Sequence, residues 1–364
     1  MYIKEIEFKN FRNYDSLNLN FDENINFIIG NNAQGKTNLI EGIFMSSMGK
    51  SFRTSRDAEL INFEKDFCKI RTLAEKSFSE TEVEIIIKKD SGKFIKVDGI
   101  NIAKTSDLLD NIYIVIFSPE DLKIVKDEPE KRRKFIDREL SIIKPSYYDA
   151  LSNYKKVLIQ RNTYLKEKNI DFSILDIWNI QLAQYGSKII SMREDFIKKV
   201  DRISKNIHEK ITNGKEHLSL EYDPNVKKTN NQKNLEEVLY EQLKNSEEND
   251  LRTRTTTRGP HRDDLQFFID GINVRNFGSQ GQQRTAALSL KLAELDLIKE
   301  ETGENAVLLL DDVMSELDST RQEFLIRSLS DIQLFITSTE ITDNLKKTVE
   351  KGKIFKVSGG KIEL

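Results

Sequence analysis

The sequence predicts an α/β protein in which a domain of mixed β-sheets is interrupted by a short inserted helical arm. Three observations support this fold class. A glycine-rich loop lies between a strand pattern and a helix pattern near the start of the chain, and an apolar strand pattern followed by two aspartates lies near its end. Between them, apolar residues recur at the three- and four-residue spacing of amphipathic helices.

The N-terminal part alternates apolar and polar residues, as half-buried strands do. The alternation predicts strands at residues 2–8, 17–21 and 25–29, and the third of these leads directly into Gly30. The residues after Lys36 have helical spacing, so the glycine-rich loop connects a strand to a helix. Strand patterns recur further along the chain, at residues 83–87, 94–97, 100–102, 112–117, 267–269, 272–274, 306–310 and 334–336.

The middle of the chain predicts helices rather than strands. Glycine is rare between residues 120 and 220, and two amphipathic patterns indicate long helices packed as an antiparallel arm. The second pattern places Ile174, Trp178 and Leu182 on its apolar face. We therefore predict a split β-rich domain at residues 1–120 and 251–364, with the helical arm at residues 121–250.

The composition excludes several classes of protein. Lys and Arg number 57, Asp and Glu number 60, and the net charge of −3 gives no global attraction to nucleic acid. DNA binding would therefore need a local basic surface. One cysteine and three histidines cannot form an internal disulfide or a clustered zinc site. No signal core or long apolar run is present, so we expect a cytoplasmic protein without membrane contact.

Residues 30–37 have the glycine, lysine and threonine spacing of a phosphate-binding loop. The glycines let backbone N–H groups turn toward phosphate oxygens, Lys36 would place its charge between the β- and γ-phosphates, and the Thr37 hydroxyl would ligate Mg²⁺. We therefore predict ATP and Mg²⁺ as cofactors. The predicted nucleotide contacts in this segment are Gly30, Asn31, Asn32, Ala33, Gln34, Gly35, Lys36, Thr37 and Asn38.

The strand predicted at residues 306–310 would bring Asp311 and Asp312 beside this loop. Asp311 could hold Mg²⁺ through water, and Asp312 could polarise the attacking water. In this interpretation Lys36 and Asp312 are catalytic, while Thr37 and Asp311 bind the metal. An acidic turn at the end of a core strand is the alternative.

A third segment, residues 278–282, precedes an apolar helix pattern and combines a serine hydroxyl with glycine N–H groups. Such a helix start can bind an anion, but one chain has no use for two γ-phosphate sites. We predict that Ser279, Gly281 and Gln282 contact nucleotide held by a second copy, so that ATP joins two chains in a homodimer. An ordinary capped helix is the alternative.

With these three elements in this order, the chain resembles the ABC-type ATPases, in their SMC-like branch, and more narrowly the RecF family of bacterial recombination mediators. The resemblance covers nearly the whole chain, and the stretches EKRRKF and GPHRDD are specific to the narrower family. The supporting segments are NFRNY at residues 10–14, KSFR at 50–53, FSPEDL at 117–122, EKRRKFID at 130–137, GPHRDD at 259–264, FGSQGQQR at 277–284 and LDDVMSELD at 310–318.

The resemblance implies an ATP-gated clamp that binds DNA at gaps and single-strand/double-strand junctions. It would support recombinase loading in DNA repair and replication restart, with RecR and RecO as protein partners. The resemblance also implies that Arg12 and Asn13 lie near the nucleotide and that residues 315–318 lie at the seam of the dimer.

Two departures from the wider superfamily predict a slow ATPase that is used as a switch. Asp312 stands where a glutamate is usual, so the carboxylate is shorter by one methylene. No histidine follows the strand at residues 334–336, and Thr337-Ser338-Thr339 takes its place. The superfamily's glutamine would be replaced by Glu120 or Asp121.

Candidate DNA contacts are cationic side chains, because Lys and Arg neutralise phosphates. For the basic stretch at residues 131–134 the alternative is a solvated helix start paired with Glu128 and Glu130. The candidates are Arg53, Arg56, Lys131, Arg132, Arg133 and Lys134.

Other functions fit parts of the sequence. A transporter-type nucleotide-binding subunit would need a switch histidine, and an SMC-type chromosome organiser would need a far longer arm and a hinge. A scaffold that binds nucleotide without hydrolysing it stays open, and ATP turnover of Asp312→Asn would distinguish it.

Overall fold

The computed structural model describes residues 1–227, 234–329, 331–340 and 352–363. Its contacts divide the chain into two compact units. The first unit consists of Met1–Leu122 and Lys291–Leu364, and the second consists of Lys123–Leu290. The two ends of the chain therefore form one unit, and the middle forms the other.

The described strands and α-helices are numbered in chain order. The strands are β1 (Tyr2–Phe11), β2 (Tyr14–Asn20), β3 (Ile25–Ile29), β4 (Phe67–Glu75), β5 (Glu80–Lys88), β6 (Gly92–Val97), β7 (Ile100–Asn101), β8 (Ile114–Phe117), β9 (Leu218–Asp223), β10 (Asp264–Ile269), β11 (Ile272–Asn273), β12 (Val307–Leu310), β13 (Leu334–Ser338), β14 (Lys353–Ser358) and β15 (Lys361–Glu363). The helices are α1 (Lys36–Met48), α2 (Pro129–Ile143), α3 (Pro145–Tyr164), α4 (Phe172–Thr212), α5 (Leu235–Asn245), α6 (Glu247–Thr253), α7 (Val274–Phe277), α8 (Gln280–Thr302) and α9 (Ser319–Arg327).

The first unit contains two six-stranded sheets. One is antiparallel, in the order β2-β1-β4-β5-β6-β7. The other has the order β15-β14-β3-β13-β12-β8 and is parallel except for its β14–β15 pair. Helix α1 packs against strands of both sheets. Its Gly42 allows this close approach, since a Cβ there would lie 2.2 Å from Cζ of Phe8.

The register of the parallel strands places the candidate site. Leu310 on β12 lies opposite Ile336 on β13, and Ile336 lies opposite Phe27 on β3. The carboxyl ends of these strands share one edge of the sheet, which is where ligands bind in open α/β folds. The loop after β3 and the aspartates after β12 therefore meet at the same edge.

The second unit combines helices with a three-stranded sheet in the order β11-β10-β9. Helix α4 has 41 residues, which corresponds to a length of about 60 Å. It packs antiparallel to α3, as two hydrogen bonds between the helices show. Arg161 of α3 donates to Asn179 of α4, and Arg193, further along α4, donates to Tyr147, which lies earlier in α3.

The second unit extends further along the chain than the arm predicted at residues 121–250. Strand β10 pairs with β9 over six positions, from Asp264↔Asp223 to Ile269↔Leu218. This pairing joins residues 251–290 to the helical segment, and the predicted boundary at residue 250 does not coincide with the boundary at residue 290.

The inner face of α4 differs from the predicted one at its N-terminal end. Leu175 and Asn179 are fully buried, whereas Ile174 is exposed and Trp178 only partly buried. The interior here is polar, since the buried guanidinium of Arg161 donates to Asn179. The spacing of apolar residues along a helix does not reveal that an asparagine is buried.

The structure confirms the predicted α/β class with mixed sheets and an inserted helical segment. Among the described residues, no helix combines the length and apolar character that crossing a bilayer requires.

Candidate nucleotide site

The loop between β3 and α1 has a backbone shape that depends on its glycines. Gly35 has a φ of 122°, a conformation that side-chain-bearing residues rarely adopt. A Cβ on Gly30 would lie 2.3 Å from the carbonyl oxygen of Val357 on the neighbouring strand β14. Both glycines are therefore required by this loop, one by conformation and one by close packing.

Residues from the turn between β1 and β2 support the loop from outside. The Asn13 amide donates to the carbonyl of Gln34 at 3.0 Å, and the Tyr14 hydroxyl donates to the carbonyl of Gly35 at 3.0 Å. Asn38 donates to Asn13 at 2.8 Å. Asn13 and Asn38 thus lie at the loop, and Tyr14, which sequence reasoning did not single out, fixes its last glycine.

Lys36 is buried at the start of α1, with 4% of its surface exposed. Its ammonium group donates to the carbonyl oxygens of Gly30 at 2.7 Å and Asn31 at 3.2 Å. Asn31, Asn32 and Ala33 are exposed at the tip of the loop. The charge is thereby held over the loop, where a phosphate group would be the stronger hydrogen-bond acceptor.

Asp311 and Asp312 lie where β12 ends. The Thr37 hydroxyl is 3.3 Å from Oδ1 of Asp311, so the loop and the carboxylates meet as predicted. Burial raises the pKa of Asp311, the hydrogen bond from Thr337 opposes this effect, and the neighbouring charge of Asp312 adds to it. Asp312 is less buried and has a left-handed backbone, with a φ of 55°.

Thr337 connects the two carboxylates. Its Oγ1 accepts a hydrogen bond from the backbone N–H of Asp312 at 2.8 Å and lies 2.9 Å from Oδ1 of Asp311 and 3.4 Å from Oδ1 of Asp312. A hydroxyl has one proton, and the shorter distance assigns it to Asp311. The sequence identified Thr337 only as part of the segment that replaces a histidine.

The residues at this edge fit Mg²⁺ bound together with a nucleotide. Thr37 and Asp311 offer oxygen ligands close together, which is the donor chemistry that Mg²⁺ prefers. Within the described residues, no group of three or more His, Cys, Asp or Glu side chains could hold a metal alone. The remaining ligands would be phosphate oxygens and water, as is usual for Mg²⁺ at phosphate-transfer sites.

Glu41, inside α1, is a buried carboxylate that sequence reasoning missed. Arg12 binds it through two hydrogen bonds of 2.7 and 2.9 Å, and Arg53 binds it at 3.2 Å. Arg53 also donates to Asn38 at 2.7 Å. Arg12 and Arg53 are therefore fixed beside the loop, and the prediction that Arg53 contacts DNA gains no support from this position.

The other predicted DNA contacts differ in exposure. Arg132 is 1% exposed and forms a two-pronged ion pair with Asp264, at 2.6 and 3.0 Å. The prediction that Arg132 contacts DNA is therefore wrong, because its guanidinium is buried and bound to Asp264. Arg133 is half-buried, and Arg56 is exposed near Glu59.

The remaining part of the basic stretch supports the alternative of a solvated helix start. Lys131 and Lys134 are exposed, and Lys134 pairs with Glu130 at 2.7 Å, one helical turn before it. Such an exposed pair contributes little to stability.

The segment at residues 278–282 lies in the second unit and caps α8. The Ser279 hydroxyl accepts from the backbone N–H of Gln282 at 3.2 Å, and the Gln282 side chain accepts from the backbone N–H of Ser279 at 2.9 Å. This reciprocal pair is a capping box, so in the single chain this segment caps its own helix, as the alternative interpretation of the sequence expects. Ser279 is nevertheless exposed, and Gly281 and Gln282 are partly exposed.

Comparisons with known proteins identify relatives over the whole length of the chain. The model of the family described as RecF/RecN/SMC N terminal domain matches residues 2–363. The DNA replication and repair protein RecF of Clostridium tetani is 47% identical over 363 residues, which are 99% of each chain. RecF of Alkaliphilus oremlandii is 46% identical and covers 100% of both chains.

Solved structures agree with these relatives. The structure described as the recombination mediator protein RecF with ATPrS in the RecFOR pathway is 39% identical, with a TM-score of 0.92, over 100% of this chain and 97% of that one. The Smc head domain of Pyrococcus furiosus is 17% identical with a TM-score of 0.55, which shows a shared fold alone. The predicted ABC-type, SMC-like head fold is confirmed, and the chain belongs to the RecF family of these ATPases.

Proposed function

We propose that this chain is an ATP-dependent, DNA-binding recombination mediator. In the proposal, ATP joins two copies into a clamp on DNA at gaps and single-strand/double-strand junctions, and RecR and RecO are its partners in loading a recombinase. The names of its relatives, which are replication and repair proteins, and the RecF structures described with ATP in the RecFOR pathway support this function.

The cluster of Lys36, Thr37, Asp311, Asp312 and Thr337 is the observation that carries the proposal. Lys36 and Thr37 begin α1, Thr337 lies near the end of β13, and the two aspartates follow β12. Hydrogen bonds connect Thr37, Asp311, Asp312 and Thr337. They offer a cation for phosphate, two oxygen ligands for Mg²⁺ and a less buried carboxylate that could orient water. This set suits phosphoryl transfer from a nucleotide better than simple nucleotide storage.

Each side chain has a separate role in the proposed reaction. Lys36 would exchange its loop carbonyls for phosphate oxygens, and Thr37 and Asp311 would hold Mg²⁺. Bound Mg²⁺–ATP supplies the transferable phosphoryl group and part of its charge neutralisation. Asp312 accepts a hydrogen bond from the attacking water, and Thr337 keeps the two carboxylates in their relative positions.

The third part of the proposal concerns the second copy of the chain. Ser279 is exposed, and Gly281 and Gln282 are partly exposed, at the start of a long helix, where backbone N–H groups and the helix dipole favour an anion. In the clamp, these residues contact the γ-phosphate held by the loop of the other chain. The first unit then supplies the nucleotide loop and the two aspartates, and the second unit supplies Ser279, Gly281 and Gln282 to the site of the other chain.

Hydrolysis opens the clamp, and we expect it to be slow. Asp312 is shorter than glutamate, and Thr337-Ser338-Thr339 stands in the place of a histidine. The clamp therefore stays closed for long enough to recruit partner proteins before its ATP is hydrolysed.

DNA binding with and without nucleotide tests the function. We expect fluorescence anisotropy with gapped DNA to show tighter binding with ATP than with ADP, and Lys36→Ala to remove this difference. Asp312→Asn should bind DNA with ATP for longer than the wild-type chain does. Equal affinity with ATP, with ADP and without nucleotide would refute an ATP-gated clamp.

A further inference from the structure

The second unit contains a cavity of about 230 Å³ that the proposed ATPase cycle does not use. It lies among α2, α3, α4 and the turn Pro260–Arg262, and all its lining residues belong to the second unit. Its walls join the two segments that distinguish the narrower family in the sequence, residues 130–135 and 259–264.

The charge at the cavity favours an anionic ligand. Lys155 pairs with Asp137 at 3.3 Å, and Lys134 pairs with Glu130 at 2.7 Å. Arg133 donates to the backbone carbonyl of Asp263, and within the described chain its guanidinium forms no ion pair. Burial and the nearby charge of Arg193 lower the pKa of Arg133, while the charges of Asp264, Asp263 and Glu130 oppose this shift. The guanidinium is therefore half-buried with a backbone carbonyl as its hydrogen-bond acceptor.

Part of the cavity wall is apolar. Leu151, Ile189 and Pro260 line it together with the ring of Tyr154. His261 adds no charge, since burial lowers its pKa to about 4. Its Nδ1 lies 2.7 Å from the Tyr154 hydroxyl, and its Nε2 lies 2.9 Å from the carbonyl of Thr256, which fixes the ring.

A buried network holds the cavity in shape. Arg193 donates to Asp137 at 2.7 Å, to Asp263 at 3.0 Å and to the carbonyl of Pro260 at 2.7 Å. These bonds connect α2, α4 and the Pro260 turn. The cavity is therefore formed before a ligand arrives, and binding would require little reorganisation.

We propose that this cavity binds one nucleotide of a single DNA strand. The phosphodiester group would lie at Arg133 and Lys155, and the unpaired base would lie against Leu151 and Pro260. One phosphodiester charge matches the one lining cation that forms no ion pair among the described residues. A cationic contact to the backbone combined with base stacking on an aromatic ring, here that of Tyr154, is typical of single-strand binding. The volume suits one nucleotide rather than a folded segment. This assignment rests on the proposed DNA-binding function and adds a subsite to it.

Arg133→Gln removes the unpaired cation and leaves the fold of the cavity in place. With ATP present, we expect the affinity of the full-length chain for fluorescein-labelled oligothymidylate to fall about tenfold, because a charged hydrogen bond is lost. The slope of log affinity against log salt should fall by about 0.7. Affinity for blunt duplex DNA should change by less than about twofold, since its bases are not free to enter.

Two further variants serve as controls for this result. Lys198→Gln removes an equal charge from an exposed position on α4 that does not line the cavity, and it should bind like the wild type. Lys155→Gln, at a more exposed position, tests the same cavity if thermal melting shows that Arg133→Gln is unfolded. An abasic oligomer of equal length should bind the wild-type chain more weakly than oligothymidylate does.

Failure of the cavity assignment can be distinguished from failure of the function. If wild-type chain binds oligothymidylate and both cavity variants bind it equally well, the assignment is wrong. The same holds if the variants lose affinity only for a polyglutamate peptide, which would indicate an acidic protein partner. If wild-type chain binds no DNA with ATP, the proposed function fails and the cavity assignment fails with it.

Discussion

The starts of helices α1 and α8 both offer groups that bind anions, but they differ in how far these groups are already arranged for a ligand. At α1, Gly35 provides no side-chain cap, and the buried ammonium of Lys36 is directed to the loop. At α8, Ser279 and Gln282 satisfy each other in a capping box and are open to solvent. The loop at the first start is pre-organised, and a ligand replaces only the bonds of the Lys36 side chain to the loop carbonyls, whereas at the second start a ligand must replace the bonds that cap the helix.

This difference explains how ATP could act as a signal between chains. A capping bond of this kind contributes about 1 kcal/mol, so it is readily exchanged when a charged phosphate comes within reach. The α1 site can therefore bind nucleotide in a single chain. The α8 segment would contribute only once a second chain brings nucleotide to it.

Removal of the charge at α1 should have the largest effect. Lys36→Ala should lower kcat/KM for ATP about a thousandfold, because no other described cation is held over the loop carbonyls. Steady-state phosphate release with varied ATP measures this. Lys104→Ala, at an exposed position of the same unit, should change nothing. A loss of less than about tenfold in Lys36→Ala would contradict the role of the pre-organised loop.

Asp312→Asn should separate binding from chemistry. The amide keeps the shape of the side chain but cannot accept a proton from water, so turnover should fall about a hundredfold. ATP affinity, measured by equilibrium dialysis, should stay within a factor of about two, because Lys36 and Thr37 are unchanged. Unchanged turnover would favour a scaffold that binds nucleotide without using Asp312.

Thr337→Val should have a smaller effect, about tenfold on kcat. It preserves the volume but removes the hydrogen bond donated to Asp311 and the one accepted from the backbone N–H of Asp312. Thr337→Ser keeps the hydroxyl and should retain most of the activity. Thr339→Val, at an exposed position just beyond β13, is the matched control. If valine and serine at position 337 give equal rates, the hydroxyl does not position the carboxylates.

The pH dependence of Mg²⁺ activation should show the smallest effect. Burial raises the pKa of Asp311, so protons begin to compete with the cation at a higher pH than for an ordinary aspartate. As pH falls, the Mg²⁺ concentration for half-maximal turnover should therefore rise. Magnesium titrations at several pH values measure this, with Asp311→Asn as a variant whose Mg²⁺ requirement should be high and nearly independent of pH. A wild-type requirement that also stays constant down to the ordinary carboxyl range would count against Asp311 as a ligand.

The sequence predicted those parts of the site that lie within continuous motifs. The loop could be identified because its glycines, lysine and threonine are neighbours, and Asp311 because it ends an apolar strand. Thr337 and Glu41 were missed as site residues because their contacts depend on strand register and helix packing. Neither has a local pattern that distinguishes it from other polar residues in apolar elements.

Charge was the least reliable guide. Arg132 and Arg133 are adjacent in the sequence and were treated alike, but Asp264, from a distant strand, pairs with Arg132 and buries it. Arg133 lines a cavity instead. The partner that decides such a case comes from elsewhere in the fold, so a basic stretch cannot be divided into buried and available cations from its spacing.

Sedimentation velocity of wild-type chain and Ser279→Arg, with and without ATP, tests most directly whether the two helix starts complete one site between chains. We expect ATP to convert the wild type and the control Ser191→Arg, exposed on α4, into dimers. Ser279→Arg should remain monomeric while still binding ATP in its own loop. A Ser279→Arg chain that dimerises with ATP as the wild type does would contradict the account.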